Sequence, residues 1–197
     1  MRLQALPPEF FDRHTVEVAR ALLGQLLVHE TRYGPLVGRI VEVEAYRGPL
    51  DPASHAFRRT ARSEIMYGRP GVAYVYLSYG VHCCLNVVTE HEGRAGAVLL
   101  RAIEPVAGIE EMLRRAPARA HQRVGAGPGR LTQALGITLA HNGADLTRSP
   151  LYLANGRPRR VRIAQGPRIG ITRAADRPWR FGIARHPSLS RPFPSRL

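Results

Sequence analysis

The stretch Ala73-Tyr74-Val75-Tyr76-Leu77-Ser78-Tyr79-Gly80 permits little besides an extended strand ending in a tight bend. Tyr74 and Tyr76 share one parity and Val75 and Leu77 the other, the period-two pattern of a half-buried strand. Tyr79 falls off the tyrosine parity and Gly80 follows at once, so its ring sits at a bend where it can protrude instead of packing. Residues 81–89 then read as the hairpin partner. A second strand-like run, Val37 to Tyr46, carries Glu42 and Glu44 on one face and ends beside an aromatic ring.

Around these two strands the chain alternates elements at short spacing. His14 to Gly24 predicts a short amphipathic helix with Thr15 near its N-cap, and residues 25–29 are strand-like. Ala97 to Ile103 reads as a central apolar strand interrupted by Arg101. Pro105 to Ala116 reads as a helix, residues 119–127 as a loop, and Pro128 to Leu135 as a helix with proline in its first turn and Gly136 after its end. Leu151–Leu153, Val161–Ile163 and Phe181–Ile183 are short strand-like runs between Gly/Pro turns. At 197 residues without repeats, one domain over 1–197 follows, with short loose ends at about 1–7 and 186–197. The class is α+β: a curved, mainly antiparallel sheet with flanking helices and a protruding β-hairpin.

The formal net charge of +14 predicts attraction to a polyanion, and nucleic acid is the commonest one. A basic surface without a dedicated partner is the competing reading. All 29 basic residues are arginine. Arginine forks onto phosphate and stacks on rings, but it stays protonated, so Schiff-base chemistry through a lysine side chain is closed to this chain. The adjacent Cys83 and Cys84 form no disulfide framework, no Cys/His spacing suggests a metal site, and no cofactor motif is present. No apolar run reaches membrane-spanning length and residues 1–8 lack a signal-peptide core, so a cytoplasmic protein is expected.

Several side chains can carry chemistry. Glu44, partly desolvated in a cleft, would serve as a general base toward water; a solvated strand-end carboxylate is the plainer alternative. Arg101 either pairs with a structural carboxylate or helps Glu44 hold a water. Tyr46, His55 and Tyr76 can build a ring-stacking pocket at about 1–3 kcal/mol per stacked base, with core packing as the competing explanation for Tyr76 and Tyr74. His55 follows a proline-containing loop, which argues against burial in the core. Arg58 and Arg59 open a basic run expected at the DNA backbone, and the helix start at residues 127–129 beside Arg130 can hold a DNA phosphate. A protruding ring, a carboxylate among apolar residues and a basic chain together suggest an enzyme acting on a nucleobase. A non-catalytic RNA- or ribosome-binding module explains the charge and rings but gives Glu44 and Arg101 no task. A hydrolase of free nucleosides would leave the arginine-rich surface without one.

The run Arg39-Ile40-Val41-Glu42-Val43-Glu44-Ala45-Tyr46 with His55, the tyrosine hairpin with Asn86, and Val98-Leu99-Leu100-Arg101-Ala102-Ile103-Glu104-Pro105 resemble the alkyladenine (3-methyladenine) DNA glycosylase family of the mammalian type. Phe10-Phe11, Leu23-Gly24-Gln25 and the block from Gly127 to Leu135 are similar to further family blocks, so the likeness runs from about residue 8 to 184. The resemblance implies a monofunctional enzyme that flips damaged purines out of duplex DNA and hydrolyses the N-glycosidic bond. It implies Glu44 as general base with Arg101 placing the water, and Tyr46, His55 and Tyr76 as walls of the base pocket. It further implies Asn86 crowding normal guanine, Tyr79 as the ring entering the minor groove, and the backbone near Arg168-Ile169 helping to hold the water. Double-stranded DNA is the expected partner of a monomer. Val81-His82-Cys83-Cys84 departs from the bulkier apolar residues that the family pattern predicts after the tyrosine.

Overall fold

The computed structural model describes residues 3–156 and 161–194. Arg157, Arg159, Arg160 and Arg196 of the basic C-terminal part, and the extreme ends of the expected domain, lie outside those residues. Eight strands form one antiparallel sheet: β1 (Leu26–Thr31), β2 (Gly34–Tyr46), β3 (Ala73–Ser78), β4 (His82–Thr89), β5 (Gly96–Ala107), β6 (Leu151–Ala154), β7 (Ile163–Gly166) and β8 (Arg180–Ile183). Their order is β3-β4-β5-β2-β1-β6, with β8 also on β2 and β7 outside β8. Among the described residues three α-helices, α1 (Thr15–Leu22), α2 (Ile109–Arg115) and α3 (Pro128–Leu135), and several short 3-10 turns complete the fold. None of the described helices is long and apolar enough to cross a membrane.

β2 is the spine. Its first half pairs with β1, its second half with β8, and its other edge with β5 along most of its length. With neighbours on both edges, Leu36 to Ala45 is buried except for Arg39. Val43 and Ala45 join the large core under the helices with Leu22, Leu100, Ile103 and Leu131. By strand alternation Glu42, Glu44 and Tyr46 point to the opposite face. That face is covered by the loop between β2 and β3, by the segment between β7 and β8, and by the C-terminal segment.

The register between β2 and β5 slips three times, and the two slips around Glu42 leave Val41 and Arg101 without directly opposed partners. Such an irregularity re-aims the side chain it releases. It turns Arg101 toward Glu42 and Glu44.

Several element boundaries differ from the sequence reading. Pro105 to Ala107 extends β5 where a helix is expected, because the long β2 offers Val37 and Gly38 as partners out to Ala107 and Pro105. The helix begins only at Ile109, after Gly108 turns the chain with φ +71°. The second short strand, expected over Val161–Ile163, instead runs from Ile163 to Gly166, its register set by β8 from Ile183 to Arg180. His14 takes the N-cap position of α1 in place of Thr15. Thr15 instead donates its N–H and hydroxyl to the Glu90 carboxylate at 2.8 and 2.7 Å.

Segments near both chain ends, expected to be loose, are packed. Leu6 is buried and its N–H donates to the Leu153 carbonyl at 2.8 Å. Ser188 is fully buried.

Ile103 is wedged between two glycines. A Cβ at Gly38 would lie 2.3 Å from Ile103 Cδ1, and one at Gly125 would lie 2.3 Å from Ile103 Cγ1. Gly38→Ala should therefore cost about 1–3 kcal/mol in urea unfolding. Ile103→Val, which removes Cδ1, should recover part of that loss in the double variant. Additive losses would show that the overlap is not what destabilises.

Candidate active site

A cavity of about 520 Å³ opens beside the β3–β4 hairpin, with Tyr46, Tyr76, Asn86 and Arg101 among its lining residues and Tyr79 at its rim. Beneath it Glu44 is completely buried, so the solvated strand-end carboxylate is ruled out. Three donors hold its oxygens. Oε1 accepts the Ile169 N–H at 2.7 Å, while Oε2 accepts the Tyr46 hydroxyl at 2.9 Å and Arg101 Nη1 at 3.3 Å. All three donor residues line the cavity. A carboxylate offers about two acceptor positions per oxygen, so Oε1 keeps one open.

The protonation pattern follows from this contact. Burial raises the Tyr46 phenol well above its ordinary value and the Glu44 charge raises it further, so the hydroxyl remains a donor. Burial alone would lower the Arg101 guanidinium, yet the charges of Glu44 and Glu42 outweigh it and the net shift is upward. Arg101 Nε also reaches Glu42 at 3.3 Å. Glu42, fully buried too, accepts Arg180 Nε at 2.7 Å and the Ser190 N–H at 2.6 Å. Charges removed from water persist only when paired in this way.

Sequence reasoning missed the support behind the pocket. Arg168 is buried and pairs with the buried Asp51, with Nη2 to Oδ1 at 2.8 Å. Its guanidinium lies 4.6 Å from the Tyr46 ring centre and 5.3 Å from that of Trp179. The pair thus braces the back of Tyr46 and fixes the backbone that delivers Ile169 N–H to Glu44. An aspartate between leucine and proline was a visible oddity in the sequence, but its partner lies 117 residues away. At Arg168-Ile169 the backbone reaches the site through the Ile169 N–H, which donates to Glu44 Oε1.

Tyr76 is half-buried at the cavity wall, whereas Tyr74 is buried in a small cluster with Met66 and Ala97. His55 sits on a single 3-10 turn, exposed as a residue but with one side of its ring enclosed. It packs edge-on against Tyr76 at 4.6 Å, and its Nδ1 lies 2.8 Å from the Tyr74 hydroxyl. Asn86 is fixed by Nδ2 donating to the Tyr74 carbonyl at 3.0 Å. Tyr79 is 90% exposed at the hairpin tip with φ +51°.

The three arginines expected at the DNA backbone fare differently. Arg58 is exposed and makes no side-chain hydrogen bond among the described residues. Arg59 is paired with Glu64, Nε to Oε2 at 2.8 Å, and its guanidinium lies over the Tyr67 ring. Arg130 turns inward: Nε donates to the Arg123 carbonyl and Nη2 to those of Ala116 and Pro117. It therefore clasps the loop before α3, with only Nη1 outside those bonds.

The model of the methylpurine-DNA glycosylase family matches residues 9–187. A protein of Rhodopseudomonas palustris named "Putative 3-methyladenine DNA glycosylase" is 49% identical over 94% of this chain and 87% of its own length. A protein of the same name from Methanocella arvoryzae is 48% identical over 98% of both chains. Another, from Shouchella clausii, is 46% identical over 96% of this chain and 98% of its own.

Burial and the neighbouring Arg62 charge lower the His55 pKa to about 4. The imidazole should thus stay neutral from pH 8 down to roughly pH 5, becoming a cation only in stronger acid. An NMR titration of His55 should give a midpoint near 4; a midpoint near 6.5 would mean that the ring is solvated.

Proposed function

The chain belongs to the methylpurine-DNA glycosylase family and is a DNA glycosylase of base excision repair, and on that footing we propose that Glu44 activates the water that releases an alkylated purine from duplex DNA. The supporting observation is the seat of Glu44: a buried carboxylate whose hydrogen-bond donors among the described residues all line the cavity, with one acceptor position left on Oε1. A water bound there can give its proton to Glu44 and attack the anomeric carbon of the deoxyribose. The glycosidic bond breaks, the base departs with the bonding electron pair, and an abasic site remains. Arg101 and Tyr46 keep the carboxylate aimed while the proton moves.

A purine inside a duplex cannot reach a buried carboxylate, so the nucleotide must leave the stack at a cost of a few kcal/mol. Tyr79, projecting from the rim, fills the vacated stack. The rings of Tyr46, Tyr76 and His55 receive the base, and their electron-rich faces favour purines that alkylation has made cationic. Such bases are already good leaving groups. Asn86, with its amide fixed, crowds the exocyclic amino group of undamaged guanine. Arg58 is the readiest of the three backbone candidates to meet a phosphate. The protein works as a cytoplasmic monomer on double-stranded DNA, with affinity supplied by phosphate contacts that read no sequence.

Glu44→Gln should slow single-turnover base release from methylated DNA by about 10²–10⁴-fold while leaving binding to an abasic-analogue duplex largely intact. Equal loss of both would make Glu44 structural. Tyr79→Ser should diminish the 2-aminopurine fluorescence rise that accompanies flipping, and an unchanged signal would argue against the wedge. With no lysine side chain in the sequence, borohydride should trap no covalent side-chain adduct with DNA, and a trapped adduct would refute simple hydrolysis.

A further inference from the structure

The family match stops at residue 187, yet the chain continues across the active-site face. Three charged side chains hold the backbone of that segment. Arg123 Nη1 donates to the carbonyls of Pro187 and Leu189 at 3.0 and 2.7 Å. Glu42 accepts both the N–H and the hydroxyl of Ser190 at 2.6 and 2.7 Å. Arg180 donates to the carbonyls of Arg191 and Pro192 and stacks 4.0 Å from the Phe193 ring centre. Gly182 of β8 leaves the room that Phe193 and Leu189 occupy, since a Cβ there would meet them at 2.7 and 2.9 Å.

This anchoring places one residue. Arg191 is exposed and lines the cavity together with Tyr79 and Gly170. Its carbonyl is used by Arg180, but its side chain has no ion pair or hydrogen bond among the described residues. Arg123 and Arg180 spend their guanidinium groups on the segment itself, and Arg101 on Glu42 and Glu44. An exposed guanidinium at the edge of the cavity, carried on a pinned backbone, is suited to fork onto a phosphodiester. We infer that Arg191 binds a DNA phosphate flanking the extrahelical nucleotide, and that the clamped 187–193 segment exists to hold it there. The inference rests on the reading of the cavity as the pocket of a flipped nucleotide.

The test is a cycle between protein and DNA. The unaltered chain and Arg191→Ala are each bound to a duplex carrying a stable abasic-site analogue. In further duplexes one phosphate beside the analogue is replaced by a neutral methylphosphonate. Alanine keeps the carbonyl that Arg180 uses, so the segment stays clamped. Arg191→Ala should weaken binding about tenfold or more and reduce the salt slope by about one. One methylphosphonate should weaken the unaltered protein similarly but have little further effect on Arg191→Ala. Arg191→Lys should restore the salt slope and only part of the affinity. Additive losses at every flanking phosphate, or an unchanged salt slope, would overturn the assignment. Failure of the unaltered chain to prefer the analogue over undamaged duplex would instead sink the pocket reading, and this inference with it.

Discussion

Two buried carboxylates and two buried guanidinium groups organise the centre of this molecule. Glu44 and Glu42 share Arg101, and Glu42 also takes Arg180 and Ser190. The signs balance locally, which is what permits four charges with so little contact with water. A core of this kind adds little stability over a well-packed apolar one, but removing any one partner leaves an uncompensated charge at about 3–5 kcal/mol. Its physical consequence is positional: the central strand pair, the proposed base and the C-terminal segment cannot move independently.

Much of this was legible beforehand, for identifiable reasons. The tyrosine hairpin announced itself because its two faces differ and because Gly80 marks the bend. Glu44 could not be settled by periodicity, since β2 is buried on both faces and alternation carries no information there. Arg101 was ambiguous for a related reason: the register slip that frees it depends on the pairing of β2 with β5, not on its neighbours in sequence. Asp51 with Arg168, and Glu42 with Ser190, are partnerships across 117 and 148 residues that no local pattern encodes. Pro105 misled because proline at a helix start is a sound local signal, overridden here by a long partner strand.

The arginine excess likewise means something different in three dimensions. The net charge of +14 suggested a surface of phosphate ligands, yet many guanidinium groups are committed inside the protein. Arg130 ties down the carbonyls of its loop, Arg177 holds the Leu50 carbonyl at 2.7 Å, and Arg168 lies between two aromatic rings. These are tasks for a planar fork with several donors, which an ammonium would do poorly. These guanidinium groups keep their charge but have fewer donors to offer outside the protein than the sequence total suggests.

Tyr79 and Gly80 both have positive φ, and the Val81 N–H returns to the Ser78 carbonyl at 3.1 Å. Hairpin turns of that shape are ordinarily filled by asparagine, aspartate or glycine, because a bulky side chain is uncomfortable in left-handed backbone. Local comfort would thus have placed a small polar residue at 79. The aromatic ring there runs against that backbone preference, and the wedge role proposed for Tyr79 would account for it. In the role proposed for Tyr79, a turn already bonded in this shape would spare the backbone the cost of ordering on contact with DNA.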